Sequence, residues 1–288
     1  MPDPAQLAVL AAVHRRGSFA LAAADLHVTQ SAVSQRIKAL EDATGTLLIR
    51  RGQPCSATET GLRLIRHHDE IALLDKALSD DLGLATATAT LRIAVNADSL
   101  ATWVIPALAA TFGFLYDLVI DDQDVSQDWL KRGEVAAAIT SHPGPLQGCD
   151  TVPLGKLRYV ATASPAYIAR WLPDGPTAAA LSRAPALRFN DKDRLQTQWA
   201  MDRGVANPPS HCLASSHGFV EACVAGLGWA MNPQALVTRH LADGSLIDLS
   251  PAAPLDIALY WQFSRLTARA TAALTEAIKQ GARQVLIP

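Results

Sequence analysis

The chain has 288 residues, 49% of them hydrophobic and 18% charged, with a net charge of −2. This apolar content suits more than one packed core and excludes a disordered chain. The near-neutral total excludes a protein basic throughout, yet leaves room for a small nucleic-acid reader joined to a larger acidic part. Residues 1–68 carry eight Arg and Lys against five Asp and Glu, a net +3.

The opening MPDPAQL lacks the basic start of a secretion signal, and no apolar run approaches the roughly 20 residues that span a bilayer. A cytoplasmic chain with no membrane partner is expected. Cys55, Cys149, Cys212 and Cys223 lie far apart without a C-x-x-C pair, which signals neither a disulfide framework nor a zinc site. His67, His68, Asp69 and Glu70 lack an i, i+4 ligand pair. No metal and no other cofactor is expected.

In chain order, Leu7, Leu10, Ala11 and His14 recur at helical spacing, and Gly17 stops this first helix. Ser18 is placed to cap a second helix with Phe19, Ala22, Ala23 and Leu26 inward. His27 and Val28 make a turn, and Thr29 caps a third helix whose Val33, Ile37 and Leu40 point to the core. TLLIRRGQPCSAT then suits a β-hairpin wing. From Glu59 to about Leu84 a further helix is predicted, roughly 35 to 40 Å long, with Leu62, Ile65, His68 or Asp69, Leu73 and Leu74 as its apolar stripe. So long a stripe calls for a partner helix, hence dimerisation, and GLATATAT reads as a hinge.

After residue 90 short β-like runs (LRIAVN, YDLVID, VAAAIT, RYVATA, PALRFN, CLASS, WAMN, IALYWQF) alternate with helical stretches. This alternation predicts two parallel sheets covered by helices, with ligand sites at the carboxyl ends of strands.

The third helix leaves Gln30, Ser31, Ser34, Gln35 and Lys38 on its outer face. In a helix-turn-helix the second helix enters the major groove, where Gln pairs with adenine and Ser bonds base or phosphate. Arg50 and Arg51 on the wing would neutralise phosphates or enter the minor groove. The plainer alternative is a solvated helix face beside a charged turn.

GSFALAAADLHVTQSAVSQRIKALE followed by RRGQPCSATETG resembles the winged helix-turn-helix of LysR-type transcriptional regulators. The likeness continues through VNADSLATWVIPAL, LKRGEVAAAIT, ASPAYIARW and YWQFS, which resemble the arginine/lysine-export (ArgP/LysG-like) branch. It implies an α+β multidomain chain: a winged helix-turn-helix at 1–58, a linker and dimerisation helix with hinge at 59–89, and a periplasmic-binding-protein-like effector domain at 90–288. That last part would divide into subdomain I, about 90–160 and 267–288, and subdomain II, about 161–266. The resemblance also implies a homodimer or homotetramer on double-stranded promoter DNA, RNA polymerase as a further partner, and activation of an exporter gene by lysine or arginine.

Beside the resemblance, VNADSLATW ends a strand and starts a helix, so Ser99, Thr102 and backbone N–H groups suit an α-carboxylate and Asp98 an α-ammonium. Trp103 follows as a cleft wall or a core residue. A cationic side chain needs another acid, for which VIDDQD offers Asp121, Asp122 and Asp124, and the resemblance points to Asp122, where the family motif also has an acid. The second subdomain offers Ser164, Asn190, Asp193, Ser216 and His217. Asn190 and His217 stand where similar regulators carry acids, and fewer acids favour a less cationic ligand, since a buried unpaired charge is costly. The remaining readings are a regulator answering a different amino acid or metabolite, a solute-binding receptor, and an enzyme on an α/β scaffold. No nucleophile or acid/base constellation stands out, so no catalytic residue is named.

Overall fold

The computed structural model describes residues 2–84, 88–144 and 146–288. The first helix, α1 (Pro4–Arg16), starts on the Asp3 carboxylate, which accepts from Ala5 N, and ends at Gly17 with φ +62°. Ser18 caps α2 (Phe19–Asp25) and Thr29 caps α3 (Gln30–Thr44), each hydroxyl accepting the amide three residues on. Val33, Ile37 and Leu40 are buried with Leu7, Leu10, Val13, Ala22 and Ala23 in one core.

The wing is a two-stranded antiparallel sheet, β1 (Ile49–Arg50) with β2 (Ser56–Ala57). Glu41 ties it to α3, one carboxylate oxygen accepting from Leu48 N at 2.8 Å and Ile49 N at 3.3 Å. Thr58 caps the long helix α4 (Glu59–Asp81). Its first turn lies so close to the wing that a Cβ on Gly61 would come 2.3 Å from the Leu48 carbonyl oxygen, a space only glycine fits.

The stripe expected on this helix needs correction. Ile65 and Leu73 are buried against their own chain, Ile65 in the reader's core and Leu73 in the receptor's. The apolar side chains left exposed are Ile71, Leu74, Leu78 and Leu82. Lys76 turns inward as well, its ammonium 2.7 Å from Asp80 and 5.0 Å from the Phe114 ring centroid. Of the expected hinge, residues 85–87 lie outside the described residues.

The receptor opens with β3 (Ala89–Val95), then a helical run of α5 (Ala97–Ser99), a π turn (Leu100–Val104) and α6 (Ile105–Ala109). Next come β4 (Phe114–Ile120), α7 (Ser126–Lys131), β5 (Ala137–Thr140) and the long β6 (Cys149–Ala163). The second lobe contributes α8 (Pro165–Trp171), α9 (Ala178–Leu181), β7 (Ala186–Arg188), α10 (Leu195–Met201), β8 (Ser210–Cys212), α11 (Ser216–Val224), β9 (Ala230–Pro233), α12 (Gln234–Asp243) and β10 (Ile247–Asp248). The chain returns through β11 (Leu255–Ser264) to α13 (Ala272–Val285), which packs on the first lobe.

The expectation of two parallel sheets is overturned. One mixed seven-stranded sheet has the order β10-β6-β11-β5-β3-β4, with β9 also on β6, and β7 pairs with β8 separately. Among the described residues the parallel strand pairs are β3 with β4 and β5, and β7 with β8, besides an isolated parallel bridge between Ala186 and Trp229. The reason is the crossing pair: β6, of which only RYVATA was expected, runs through both lobes, and β11 comes back antiparallel beside it. Their register shifts between Leu259 and Tyr260, leaving Leu154 of β6 unpaired as a bulge. At Gly155, φ is +119° and a Cβ would lie 2.6 Å from the Ile287 carbonyl oxygen, so the C-terminal segment seats directly on the crossing point.

Candidate functional site

Two surfaces gather the residues named from sequence. On α3, Gln30, Ser31, Gln35 and Lys38 are exposed and Ser34 is half-buried, whereas Val33, Ile37 and Leu40 are buried. The Ser31 hydroxyl lies 3.0 Å from that of Thr29, within the cap itself. Arg50 and Arg51 stand exposed on the wing, the Arg51 guanidinium 5.5 Å from the Phe19 ring centroid. Exposed polar side chains on such a helix and exposed arginines on its wing are what groove reading requires.

The second surface is a cleft between the lobes, enclosing about 660 Å³ with the solvent at its mouth included. The first lobe supplies the carboxyl ends of β3 and β4, with Asn96, Asp98, Asp121, Asp122 and Gln123. The second supplies the loop after β7, with Phe189, Asn190 and Asp193, Gln196 of α10, the start of α11, with Ser216 and Phe219, and Asn232 of β9. Ligand sites at the carboxyl ends of strands follow the rule for such sheets.

Charge in this cleft is uneven. Tyr159 of β6 donates to the Asp98 carboxylate at 2.8 Å. Burial nevertheless pushes the Asp98 carboxyl above the usual carboxylate range, and it pushes the Tyr159 phenol well up too. Asp122 and Asp193 are raised for the same first reason, with neighbouring carboxylates adding to the shift at Asp122. Asp121 goes the other way. Burial opposes its ionisation, but hydrogen bonds from Lys192 at 2.6 Å and Trp129 Nε1 at 2.9 Å outweigh that and hold it below the usual range.

The cleft also keeps buried polar atoms without hydrogen-bond partners: both amide atoms of Asn96 and of Gln196, and the Asn232 Oδ1. Each such group costs roughly 1 to 3 kcal/mol until something bonds it. A small molecule with acceptors, donors and positive charge would satisfy these groups and the raised carboxyls together.

Of the sequence-named cleft residues, Asp98, Asp122, Asn190, Asp193 and Ser216 line the cleft and five others do not. Ser99 is fully buried, and the Thr102 hydroxyl donates to the Asp98 carbonyl, so neither stands ready for a carboxylate. Trp103, 2% exposed, packs behind the cleft beside Gly281 of α13. Ser164 caps α8 by accepting from Tyr167 N. His217 is exposed on α11. Asp193 holds its own loop, accepting from Phe189 N and Leu195 N, while the Asn190 side chain accepts from Lys192 N and Asp193 N. Sequence reasoning missed Asn96, Gln123, Gln196, Asn232 and Tyr159. Asn96 and Asn232 had a usable signal, since each closes a β-like run.

A groove-reading helix, a wing and a connecting helix leading to a two-lobed cleft define a ligand-responsive DNA-binding regulator. Residues 4–62 match the family of bacterial regulatory helix-turn-helix proteins of the lysR family, and residues 85–283 match the LysR substrate binding domain. The chain belongs to the LysR family of transcriptional regulators. It is similar to the regulator LysG of Mycobacterium tuberculosis, 42% identical over 97% of this chain and 93% of LysG. Among solved structures it resembles ArgP from Mycobacterium tuberculosis, with 40% identity, TM-score 0.83 and coverage of 100% of this chain and 99% of that one. It also resembles full-length LysG from Corynebacterium glutamicum with bound effector Arg, with 36% identity, TM-score 0.71 and coverage of 99% and 100%. The LysG/ArgP-like branch drawn from NADSLATW and the later blocks agrees with these relatives. These relatives are transcriptional regulators. No helix among the described residues is long and apolar enough to cross a membrane.

Proposed function

We propose that the chain is a cytoplasmic, non-enzymatic regulator that reads promoter DNA through α3 and the wing and answers a basic amino acid, arginine or lysine, bound between the lobes. The observation that carries the effector class is the set of three cleft carboxyls, Asp98, Asp122 and Asp193, whose hydrogen-bond donors are all neutral groups, in a cleft with unpartnered amide groups. The arginine bound to the similar LysG points to the same class. Asp98 takes the α-ammonium, Asp122 and Asp193 face the side-chain cation, and the amides of Asn96 and Gln196 with the Ser216 hydroxyl take the α-carboxylate.

Gln30, Ser34 and Gln35 read bases, Ser31 and Lys38 support phosphate contact, and Arg50 and Arg51 neutralise backbone charge. The parts are a reader at 1–58, a linker at 59–89 and the receptor at 90–288. A second copy covers Ile71, Leu74, Leu78 and Leu82 of α4, which gives a dimer or tetramer on DNA. Closure of the lobes around the effector changes the spacing of paired readers, and through RNA polymerase at the bent promoter it activates an amino-acid exporter gene.

The test is calorimetric titration of the full chain with L-arginine, L-lysine and L-leucine, repeated with Asp122→Asn. Selective binding of the basic pair that the substitution removes is the expected result. Equal binding of leucine would end the basic-effector reading and leave the DNA reader standing.

A further inference from the structure

Asp121 and Asp122 are neighbours on the cleft wall but differ in their partners. Both oxygens of Asp121 are committed: Oδ1 to the Lys192 ammonium at 2.6 Å and Oδ2 to the Trp129 indole at 2.9 Å. Lys192 belongs to the opposite lobe, in the loop between β7 and α10, so this ion pair crosses the mouth of the cleft. That loop is preorganised. Asn190 accepts from the amides of Lys192 and Asp193, and Asp193 accepts from Phe189 N and Leu195 N. Trp129 sits on α7, which hangs from the Asp122 carbonyl through Ser126, and the Arg132 guanidinium lies 4.8 Å from its ring centroid. Both ends of the bridge are therefore anchored in structured segments of different lobes.

We propose that Lys192 is an affinity-determining latch, which bridges to Asp121 across the cleft mouth, holds the lobes together over a bound basic amino acid and so lengthens its residence. The proposal rests on the basic-amino-acid reading for the identity of what is held. Lys192 does not compete with the effector, because its ammonium neutralises Asp121 alone, while the donors to Asp98, Asp122 and Asp193 are all neutral. Asp98, Asp122 and Asp193 remain for the ligand's positive groups. The Lys192 side chain is 52% exposed against 15% for Asp121. Solvent screening therefore limits the latch to a modest effect, about three- to five-fold in affinity, placed in the dissociation rate rather than in recognition.

The test uses the full chain with L-arginine in stopped-flow experiments at low and high salt, comparing the unaltered protein with Lys192→Met, Lys192→Arg and Lys192→Glu. Expected are a dissociation rate about three- to five-fold faster in Lys192→Met, near-restoration by Lys192→Arg and a larger increase in Lys192→Glu. The association rate and the preference for arginine over leucine should be kept, and the difference should shrink at high salt. An unchanged dissociation rate, or tighter binding in Lys192→Met, overturns the latch. Hydrogen exchange on the chain without amino acid separates this from the effector reading. Amides of residues 121–125 and 189–193 should exchange faster in Lys192→Glu whichever ligand the cleft takes, and unaltered exchange overturns the latch even if arginine binds.

Discussion

In the reader, Ser18, Thr29 and Thr58 each close a helix start and Glu41 bonds two wing amides. In the receptor's cleft, Asn96, Gln196 and Asn232 keep buried polar atoms without partners. The difference follows from what each region meets. DNA is a large convex partner whose charge and base edges come to an outward helix face, so the reader can finish its own bonding and present side chains to solvent. A small ligand must be surrounded, and the groups that will surround it are buried beforehand at a cost in stability.

The sharpest way to break this contrast is Gly61→Ala, which sets a methyl 2.3 Å from the Leu48 carbonyl oxygen where the linker meets the wing. It should cost the reader about 3 kcal/mol. In chemical denaturation of the full chain an early reader transition should appear, with arginine binding intact beyond it. A single unchanged transition would mean that the close approach is not constraining.

Asp122→Asn should act in opposite directions on binding and stability. Arginine binding should fall roughly 30-fold, about 2 kcal/mol, while the empty chain melts at a higher temperature because a charge disfavoured by partial burial and by neighbouring carboxylates is removed. The sign follows from linkage. The folded carboxyl has a raised pKa, so at neutral pH the ionised form penalises folding, and stability is regained as pH falls through the folded value. A lower melting temperature would show that the carboxylate is structural.

On the reader, Gln35→Ala should lose about 1 to 2 kcal/mol of discrimination at one base pair and leave random DNA unaffected. Arg50→Ala should weaken all sequences alike and reduce the salt slope by about one. Equal losses on operator and random DNA for Gln35→Ala would remove it from base readout.

The smallest effect concerns His14, whose Nδ1 accepts the Ala57 amide of the wing at 3.2 Å. Burial lowers its pKa, with the Arg92 charge adding to this and Glu134 opposing it, and Arg15 and Asp69 also face the ring. The folded ring takes up protons less readily than the unfolded one, so reader stability should decline as pH falls below about 6.5 toward the lowered value. His14→Gln should flatten that dependence in thermal melts between pH 5 and 7, about the window the shift covers.

Much of the reader was legible because its signals are local: a cap, a 3.6-residue period, a glycine stop. Ser18, Thr29 and Gly17 act as their spacing predicts. The receptor was less so. Pro153 and Gly155 interrupt the alternating pattern of β6, hiding a strand of 15 residues that carries the chain between lobes. On α4 the helix is apolar on two faces, and periodicity alone could not tell Ile65 and Leu73, which face inward, from Leu74 and Leu78, which do not. In the cleft, Asp98 and Asp122 sit at strand ends where chemistry and position agree. Ser164 and Trp103 have suitable chemistry, but capping and core packing claim them, and Gln196 enters only through the placement of α10.

The crossing strands β6 and β11 stay hydrogen-bonded to each other across ten register pairs, interrupted by the single bulge at Leu154. In mechanical terms this is a leaf spring and not a pin joint. Such a strip flexes and twists but resists stretching and sliding, because sliding would break the ladder while flexing only tilts it. Any movement of one lobe against the other would therefore be confined by this ladder to a small rotation, since the strip yields to twist before it yields to sliding.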